Sequence, residues 1–411
     1  MKMQLPLLLT QEEAIMQNNL KFGIIGVGNM GTSHAKHIFE GKIKGAELSA
    51  LCDIDPNVVL RLEKQFPDVP IFSDYNELLQ NSDCDAVIVA TEHYFHPTIA
   101  KAAFLQHKHV LSEKPIGVFQ HEIEDMIKTE KNAGKAFGIM FNQRTNPLFR
   151  KAKELVESGE LGLKKRLVWQ TTNWYRTQSY YESSPWRASW HGEGGGVLMN
   201  QAPHQLDLLQ WIFGMPSSVY ATLSIGKYHN IEVEDDAELI FKYDDGSSAV
   251  FITSTGEAPG TNRLEISGDR GKIVLEEGKL KFWKLNEPER EFCFNKTQGF
   301  YEAPYEYSEF IPEQIPNGHI DILQNFCNHI LFGETLIASG FDGIYQSQMT
   351  SGAYLSHFKG EKCALPCDSA EQKALMEKLI LKSNKNNYSQ TKNAPVANEN
   401  EDRSARWQVR W

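Results

Sequence analysis

The chain has 411 residues, of which 41% are hydrophobic and 23% are charged, as is typical of a globular protein with two or three domains. Its formal net charge of −11 argues against nucleic acid or an anionic membrane as the main partner. No apolar run is long enough to span a bilayer, and the apolar segment near the start is short and broken by Pro6. The six cysteines lack the spacing of a zinc site, so we expect no metal, reduced thiols and a cytoplasmic location.

A glycine-rich turn near the N-terminus is the most informative stretch. A short apolar strand leads into Gly26, Gly28 and Gly31, and an amphipathic helix follows. Gly26 permits a tight turn, Gly28 lets the backbone approach a pyrophosphate, and Gly31 lets the helix pack closely on the strand. Asn29 and Met30 complete the loop at the helix N-terminus, which stabilises phosphate charge. We therefore predict a dinucleotide site rather than an ordinary turn of an α/β unit.

A second predicted strand ends at Asp53, about twenty positions beyond the last glycine of the loop. An acid at that place accepts hydrogen bonds from the adenosine ribose hydroxyls. Its negative charge repels the additional 2′-phosphate of NADP. NAD is therefore the predicted cofactor, and NADP is less favoured.

Strands and helices alternate in the first third of the chain, which predicts an α/β domain with a doubly wound, parallel sheet over residues 21–145. The segment 146–383 has a different sequence pattern, in which two early helices are followed by strand-like runs. Asp244, Asp245 and Gly246 join two of these runs as a hairpin, so we predict an α+β domain with an open, mainly antiparallel sheet. We expect residues 1–20 to be an extension and the polar residues 384–411 to be a disordered tail.

Two short motifs carry residues suited to catalysis. Glu113, Lys114 and Pro115 follow an apolar strand, and ligands of such sheets lie at the carboxyl ends of strands. An ammonium group there can polarise a carbonyl or pass a proton, although a lysine at a strand end is more often a solvated surface charge. Asn200, His204 and Asp207 fall at spacings of four and seven, which is one face of a predicted helix, and the His204 imidazole can act as a general base there. The alternative for His204 is a hydrogen-bonded structural residue.

A third cluster combines aromatic rings with arginines. Arg176, Trp186 and Arg187 are its main members, and aromatic faces with guanidinium forks suit the C–H faces and hydroxyls of a sugar ring. Packing or a subunit interface is an equally good explanation for any one of them.

Together these motifs resemble the Gfo/Idh/MocA oxidoreductases, and the resemblance extends over roughly residues 21–368. It includes the loop from Thr91 to His96 and the glycines before His204. The family likeness implies a Rossmann domain, a second domain whose sheet often mediates oligomerisation, and an active site between them. It also implies a homo-oligomer, a dimer or tetramer, and cofactor or catalytic roles for the residues Gly26, Gly28, Asn29, Met30, Gly31, Asp53, Thr91, His96, Glu113, Lys114, Asn200 and His204.

Asn200 departs from the family pattern, because many members carry aspartate four residues before the histidine. An amide cannot accept a proton as a base, so the general base should be His204, and we expect Asn200 to orient His204 or a substrate hydroxyl. Losing the carboxylate also removes a charge that would raise the pKa of nearby cations.

The resulting prediction is an NAD-dependent oxidoreductase that transfers a hydride between nicotinamide and a secondary hydroxyl or keto group of a sugar, glycoside or cyclitol. Lys114 would polarise the developing carbonyl, and Arg176, Trp186 and Arg187 would contact the ring, together with Lys114, Asn200 and His204. Two alternatives stay open: a glycosidase that uses NAD transiently on the same scaffold, and a non-catalytic regulator that responds to sugar or NAD.

Overall fold

The computed structural model describes residues 19–314 and 317–383. The predicted tail and all but the end of the predicted extension lie outside the described residues. The strands of the first sheet are β1 (Leu20–Ile25), β2 (Ala46–Cys52), β3 (Ile71–Phe72), β4 (Ala86–Val89), β5 (His109–Ser112) and β6 (Phe137–Ile139). The helices between them are α1 (Asn29–Phe39), α2 (Pro56–Gln65), α3 (Tyr75–Asn81), α4 (His96–Leu105) and α5 (Gln120–Ala133).

The six strands lie in the order β3-β2-β1-β4-β5-β6, and every neighbouring pair is parallel. The predicted doubly wound sheet is therefore confirmed. All four residues of β4 are buried, as expected of a strand covered on both faces by helices. From β1 the chain adds β2 and β3 on one side, and it then returns to add β4, β5 and β6 on the other side of β1. Ligands of such sheets bind between β1 and β4, where the direction changes, outside the carboxyl ends of the strands.

A second sheet has nine strands in the order β14-β13-β12-β11-β7-β10-β9-β8-β15. Their bounds are β7 (Lys164–Thr171), β8 (Ser218–Ile225), β9 (Glu234–Lys242), β10 (Ser248–Ser254), β11 (Asn262–Gly268), β12 (Gly271–Glu276), β13 (Lys279–Leu285), β14 (Tyr305–Phe310) and β15 (Cys363–Ala364). Only the pair β7 and β10 is parallel within the described sheet. The mainly antiparallel sheet is thus confirmed, and the predicted hairpin joins β9 to β10.

The helices of this second part are α6 (Pro147–Glu157), α7 (Gln178–Glu182), α8 (Val197–Asn200), α9 (Pro203–Phe213), α10 (Glu289–Asn295), α11 (Gly318–Phe332), α12 (Gly343–Lys359) and α13 (Ser369–Lys382). Local capping explains where several of them begin: Asn146 accepts a hydrogen bond from the Leu148 amide 2.9 Å away, and Pro147 fits the first turn of α6. None of the helices in the described ranges is long and apolar enough to cross a bilayer.

Two hydrophobic cores correspond to the two sheets. The first core contains the apolar residues of β1, β2, β4, β5 and β6, and α11 returns to it through Ile322, Leu323 and Phe326. The second core lies under the nine-stranded sheet, where α9 and α12 pack. Helix α11 therefore packs on a face of the first sheet, where Phe326 contacts Phe22 of β1 and lies next to Gly138 of β6.

Candidate functional site

The loop between β1 and α1 has the backbone geometry of a phosphate cradle. Gly26 has φ +86°, and a Cβ there would lie 2.7 Å from the backbone of Ala90. A Cβ on Gly31 would lie 2.0 Å from the Gly26 carbonyl oxygen, whereas one on Gly28 would meet nothing within 4 Å. No side chain caps α1 at Gly28, so the helix N-terminus offers its partial positive charge to this open space. The loop therefore fits the pyrophosphate of a dinucleotide.

Asp53 lies directly beside this loop. Its Oδ2 accepts a hydrogen bond from the Val27 amide at 2.8 Å, and its Oδ1 accepts one from the Asp55 amide at 3.0 Å. Arg61 of α2 donates from Nη2 to the Val27 carbonyl oxygen at 2.7 Å and to Thr32 Oγ1 at 3.3 Å. Sequence reasoning did not single out Arg61, since a lone arginine on an amphipathic helix has no motif. The Asp53 carboxylate and the Arg61 guanidinium thus fix the backbone of the glycine loop by hydrogen bonds to Val27.

Replacing Asp53 with asparagine should lower the ratio of the NADPH to the NADH dissociation constant by about 10-fold. The change removes the charge that repels a 2′-phosphate, but it keeps an acceptor for the Val27 amide. Fluorescence titration with each cofactor measures this ratio. Glu63→Gln, on the neighbouring α2, is the matched loss of an acid and should leave the ratio unchanged. An unaltered ratio in the Asp53 variant would remove the basis for this cofactor preference.

His96 has a structural position in the same region. Its Nδ1 lies 2.7 Å from the Pro115 carbonyl oxygen, and its Nε2 lies 3.0 Å from the Thr91 carbonyl oxygen. Both ring nitrogens therefore face protein acceptors, and the imidazole joins the loop after β4 to the loop after β5. Contacts of His96 and Thr91 with the cofactor stay predictions; both residues lie in the segment that follows β4, and the His96 ring nitrogens already face protein carbonyls.

Glu113 forms a buried pair with a histidine that the sequence did not point to. His34 Nε2 lies 2.8 Å from Glu113 Oε1, and the Lys114 amide donates to Glu113 Oε2 at 3.2 Å. Burial alone would raise the pKa of Glu113, but the hydrogen bond from His34 and the charges of His34, His319 and Lys114 lower it to about 2. The carboxylate is therefore ionised, and it fixes the backbone that presents Lys114.

This depressed pKa predicts a specific pH dependence of stability. The Glu113 carboxylate titrates near 4.5 when unpaired and near 2 in the folded protein, so its stabilisation is complete above about pH 4.5 and is lost as the pH falls towards 2. Glu113→Gln should cost about 1–3 kcal/mol of unfolding free energy at neutral pH, and this cost should shrink as the pH falls below 4.5. Urea unfolding of the apoprotein at several pH values measures it.

The control for this titration is Glu63→Gln, which removes an exposed carboxylate from α2. Its cost should stay within about 0.5 kcal/mol at each pH. A cost for Glu113→Gln that is the same at neutral pH and in mild acid would show that the pair does not stabilise the folded state electrostatically.

Lys114 connects the two halves of the molecule. Its Nζ donates a 2.9 Å hydrogen bond to the backbone carbonyl oxygen of Asn200, at the end of α8. Burial lowers the pKa of Lys114; Arg187 and Arg176 lower it further, while Glu113 and Glu193 oppose them. An ammonium group with a lowered pKa releases and regains its proton more readily than a surface lysine does.

Asn200 is held by a carboxylate that sequence reasoning missed. The Asn200 side-chain amide donates to Glu193 Oε1, and the Ala188 amide donates to Glu193 Oε2 at 2.6 Å. Burial raises the pKa of Glu193, against the opposing effects of Arg187 and these hydrogen bonds. The residue just before the glycine run was the available signal. That Asn200 orients His204 or a substrate hydroxyl stays a prediction; in the structure its amide faces Glu193 and its carbonyl accepts from Lys114.

His204 lies in the first turn of α9, and its ring packs edge-on against Phe141 with centroids 6.2 Å apart. Its Nδ1 is enclosed without a hydrogen-bond partner. Burial lowers the pKa of His204 well below its ordinary value, and the Lys114 charge adds to this effect. The imidazole is therefore neutral at physiological pH and able to accept a proton.

The predicted continuous helical face of Asn200, His204 and Asp207 is wrong. The chain leaves α8 at Asn200 and starts a new helix at Pro203, and Asp207 binds Arg144 instead of lining the site. Arg144 donates from Nε and Nη2 to the two oxygens of Asp207 at 2.8 and 2.6 Å, and from Nη1 to Asp342 at 2.6 Å. This buried ion pair fixes α9, and hence His204, against the first domain.

The aromatic and arginine cluster lies next to this centre. Arg187 Nη1 is 3.6 Å from Glu193 Oε1 and donates to the Tyr180 hydroxyl at 2.8 Å. The Arg187 guanidinium carbon lies 4.5 Å from the Trp186 ring centroid. The Arg176 guanidinium stacks on Tyr180, with its carbon 5.0 Å from the Tyr180 ring centroid. The structure thus brings all three predicted ring contacts into one cluster, with Tyr180 as an additional member.

The candidate site draws its residues from both halves of the chain. The carboxyl ends of β4 and β5 supply Thr91 and Lys114, and the second domain supplies Asn200 and His204. Within the described residues no group of histidine, cysteine, aspartate and glutamate side chains could hold a metal ion, and all six cysteines are free. The site combines a dinucleotide cradle, a neutral imidazole and an ammonium group.

Comparisons with known proteins agree with this geometry. A family profile described as "Oxidoreductase family, NAD-binding Rossmann fold" matches residues 20–141, and one described as "GFO/IDH/MocA C-terminal domain" matches residues 149–274. Myo-inositol 2-dehydrogenase of Thermotoga maritima is 26% identical over 332 residues, 79% of this chain and 92% of that protein. Levoglucosan dehydrogenase of Pseudarthrobacter phenanthrenivorans is 25% identical over 290 residues, 62% of this chain and 73% of that protein.

A solved structure of similar fold is the WlbA dehydrogenase from Bordetella pertussis in complex with NADH and UDP-GlcNAcA. It aligns with a TM-score of 0.73 and 25% identity, covering 85% of this chain and 100% of that one. Levoglucosan dehydrogenase in complex with NADH and levoglucosan aligns with a TM-score of 0.69 and 20% identity, covering 85% of this chain and 100% of that one.

Proposed function

Because the chain belongs to the Gfo/Idh/MocA family of NAD-binding oxidoreductases, we propose that it oxidises a secondary hydroxyl of a sugar, glycoside or cyclitol ring, or reduces the corresponding ketone. The observation that carries this proposal is the hydrogen bond from Lys114 Nζ to the Asn200 carbonyl oxygen. It brings the end of β5 to the start of the helix that bears His204. Two groups suited to proton transfer, far apart in sequence, therefore meet beside the dinucleotide cradle.

NAD, when bound, supplies the hydride chemistry at the nicotinamide ring. Gly26, Gly28 and Gly31 would hold its pyrophosphate, and Asp53 would accept hydrogen bonds from its ribose hydroxyls. Thr91 and Glu113, after β4 and β5, would line the inner part of the site. The fit rests on the open space beside Gly28 and on the uncapped start of α1.

His204 acts as the general base in this proposal, because its enclosed imidazole is neutral and can take the proton of the reacting hydroxyl. Lys114 donates a hydrogen bond to the same oxygen and stabilises the negative charge that develops on it. Asn200 and Glu193 position the Lys114 ammonium through the backbone carbonyl that it binds. Positioning these groups at fixed distances supplies much of the rate acceleration.

The substrate class follows from the relatives and from the cluster beside the catalytic pair. The relatives include proteins named for inositol and levoglucosan. Arg176, Trp186, Arg187 and Tyr180 present aromatic faces and guanidinium donors, which suit the C–H faces and hydroxyls of a ring. This supports a small polyhydroxylated ring as substrate.

The assembly and location belong to the same proposal. We propose a cytoplasmic homo-oligomer, a dimer or tetramer, formed through the open face of the nine-stranded sheet. Tyr220 on β8 and Ile240 on β9 are register partners on that face and are 46% and 44% exposed. Adjacent apolar side chains on an open sheet favour contact with a second copy. Light scattering of the purified protein should give a mass of two or four chains, and a monomer would contradict this part.

A substrate panel tests the proposed reaction. Sugars, cyclitols and 3-keto-glycosides are mixed with NAD or NADH, and the nicotinamide absorbance is followed. Steady formation of NADH with one ring class, or steady consumption with its ketone, is the expected result. Cleavage of a glycoside without net change in NADH would identify an NAD-using glycosidase instead, and no turnover with any member would favour a regulatory protein.

A further inference from the structure

We infer that the substrate carries an anionic group, a carboxylate or a phosphate, that binds to the free donor atoms of Arg176 and Arg187. Since this concerns the substrate half of the same site, it rests on the proposed function and deepens it. The evidence is the position of the two arginines, their charge balance, their unused donor atoms and the way they are anchored.

The position of Arg187 follows from a chain of contacts that starts at the catalytic lysine. Lys114 Nζ binds the Asn200 carbonyl oxygen, the Asn200 amide binds Glu193, and Glu193 Oε1 lies 3.6 Å from Arg187 Nη1. The same Nη1 donates to the Tyr180 hydroxyl at 2.8 Å. Two residues, Asn200 and Glu193, therefore connect Arg187 to Lys114.

Both arginines stack on the ring of Tyr180. The guanidinium carbon of Arg187 lies 4.6 Å from the ring centroid, and that of Arg176 lies 5.0 Å from it. Stacking restricts the rotation of both guanidinium groups and concentrates two positive charges around one aromatic ring. Contact of a bound anion with these two groups is therefore favoured.

Within the described residues, the part of the site around Arg176 and Arg187 carries more positive than negative charge. No carboxylate oxygen within the described residues lies within 4.0 Å of the Arg176 guanidinium, whose Nη1 donates instead to the carbonyl oxygens of Trp174 and Tyr175. Arg187 shares Glu193 with Asn200. Partly enclosed cations without a matching anion are unfavourable, and a bound anion removes this cost.

The charges around the lysine point the same way. The charged side chains with the largest effects on its pKa are two guanidinium groups, Arg176 and Arg187, and two carboxylates, Glu113 and Glu193. One acid, Glu113, is already committed to His34, and burial raises the pKa of the other.

The two guanidinium groups have donor atoms left over. Each makes its hydrogen bonds through Nη1, while Nε of each is enclosed without a partner. Within the described chain Nη2 of Arg176 and of Arg187 has no hydrogen-bond partner and is not enclosed. A guanidinium fork with a free donor on its outer edge matches the paired oxygens of a carboxylate or phosphate.

Arg176 is also held in place through its backbone. His229 Nε2 lies 2.9 Å from the Arg176 carbonyl oxygen, and His229 Nδ1 lies 2.9 Å from Asp235 Oδ2. Asp235 is fully buried in β9 and also accepts hydrogen bonds from the amides of Tyr228 and His229. A fixed backbone lowers the entropic cost of binding at Arg176, which is a property of a preorganised recognition site.

Matched ligands test the inference by calorimetric binding to the protein saturated with NADH. Glucose is compared with glucuronate and glucose phosphate, and galactose with galacturonate and galactose phosphate. At least one anionic member should bind about 10-fold or more tightly than its neutral hexose, and the double substitution Arg176→Gln and Arg187→Gln should weaken that anion by about 10- to 100-fold. Because the same arginines are proposed to contact the ring, the double substitution should also weaken the neutral hexose, but by at least about 10-fold less than it weakens the anion. Whether the uronate or the phosphate is preferred identifies the group.

Arg166→Gln is the control, because it removes the same charge from an exposed position on β7. It should leave the preference for the anion intact. Equal or weaker binding of every anionic member, absence of binding throughout, or a preference that survives in the double variant would overturn the inference. Oxidation by NAD is followed separately: neutral rings oxidised without any anionic preference would refute only the inference, and an anion bound without any turnover would refute only the proposed reaction.

Discussion

Replacing Lys114 with methionine should lower kcat/KM by about 100-fold or more while NADH affinity changes by less than about 3-fold. Methionine has a similar length and keeps the packing of the alkyl chain, but it cannot donate to the reacting oxygen or to the Asn200 carbonyl. Because the ammonium acts mainly on charge that develops in the transition state, kcat should fall more than KM rises. Steady-state kinetics with the best ring of the panel, together with fluorescence titration of NADH, measures both effects.

The control for this change is Lys165→Met, which removes an exposed lysine of β7 that pairs with Glu289 on the surface. It should leave kcat/KM within about 2-fold, as surface ion pairs contribute little. If Lys114→Met kept most of its turnover, or if it lost NADH binding to the same degree as turnover, the lysine would be a structural residue or a cofactor ligand and the proposed chemistry would fail.

Replacing Arg144 with methionine should lower the unfolding free energy by about 3–5 kcal/mol, the largest stability effect expected in this protein. Arg144 is 2% exposed, and its removal leaves Asp207 and Asp342 facing each other without their shared cation. The Trp211 ring, 5.3 Å from the guanidinium carbon, would lose its stacking partner as well. Urea unfolding followed by tryptophan fluorescence measures the change.

The double variant Arg144→Met with Asp207→Leu should recover part of this loss, because it removes the buried charge together with its partner. Arg166→Gln, at the exposed position on β7, should cost less than about 0.5 kcal/mol. A loss below about 1 kcal/mol for the single variant would show that the pair is not what holds α9 against the first domain.

Local sequence patterns were sufficient where a function depends on consecutive residues. The glycine loop, the acid after the second strand and the lysine after the fifth strand all follow from one strand–turn–helix pattern. The hairpin at Asp244 to Gly246 and the mainly antiparallel second sheet follow from turn chemistry in the same way. Each of these features is determined by neighbours within a few positions.

Features that depend on contacts between residues far apart in the chain could not be predicted from the sequence. His34 lies on α1 and becomes the partner of Glu113 only when the sheet forms. Arg144 has no motif, yet its partners come from α9 and from the turn before α12. The helix break between Asn200 and Pro203 redirects Asp207 away from the site, and a spacing of four and seven residues cannot reveal such a break.

Glu193 shows how the site accommodates the unusual Asn200. The sequence suggested that a carboxylate was missing beside the histidine, whereas the structure has one nearby on a different element, bound to the Asn200 amide. A carboxyl group is therefore retained near Lys114 but is displaced from the position four residues before His204. The spacing of four residues between Asn200 and His204 alone cannot reveal this carboxyl group, because Glu193 lies at a different position in the chain.

Deuterium transfer tests the central claim most directly. NADH carrying deuterium at either face of nicotinamide C4 is incubated with the keto form of the best ring, and the product is examined by mass spectrometry. The account predicts that one of the two labelled forms places its deuterium on a ring carbon of the alcohol, with NAD formed in equal amount. An unlabelled product from both forms, or a cleaved glycoside with no net consumption of NADH, would contradict it.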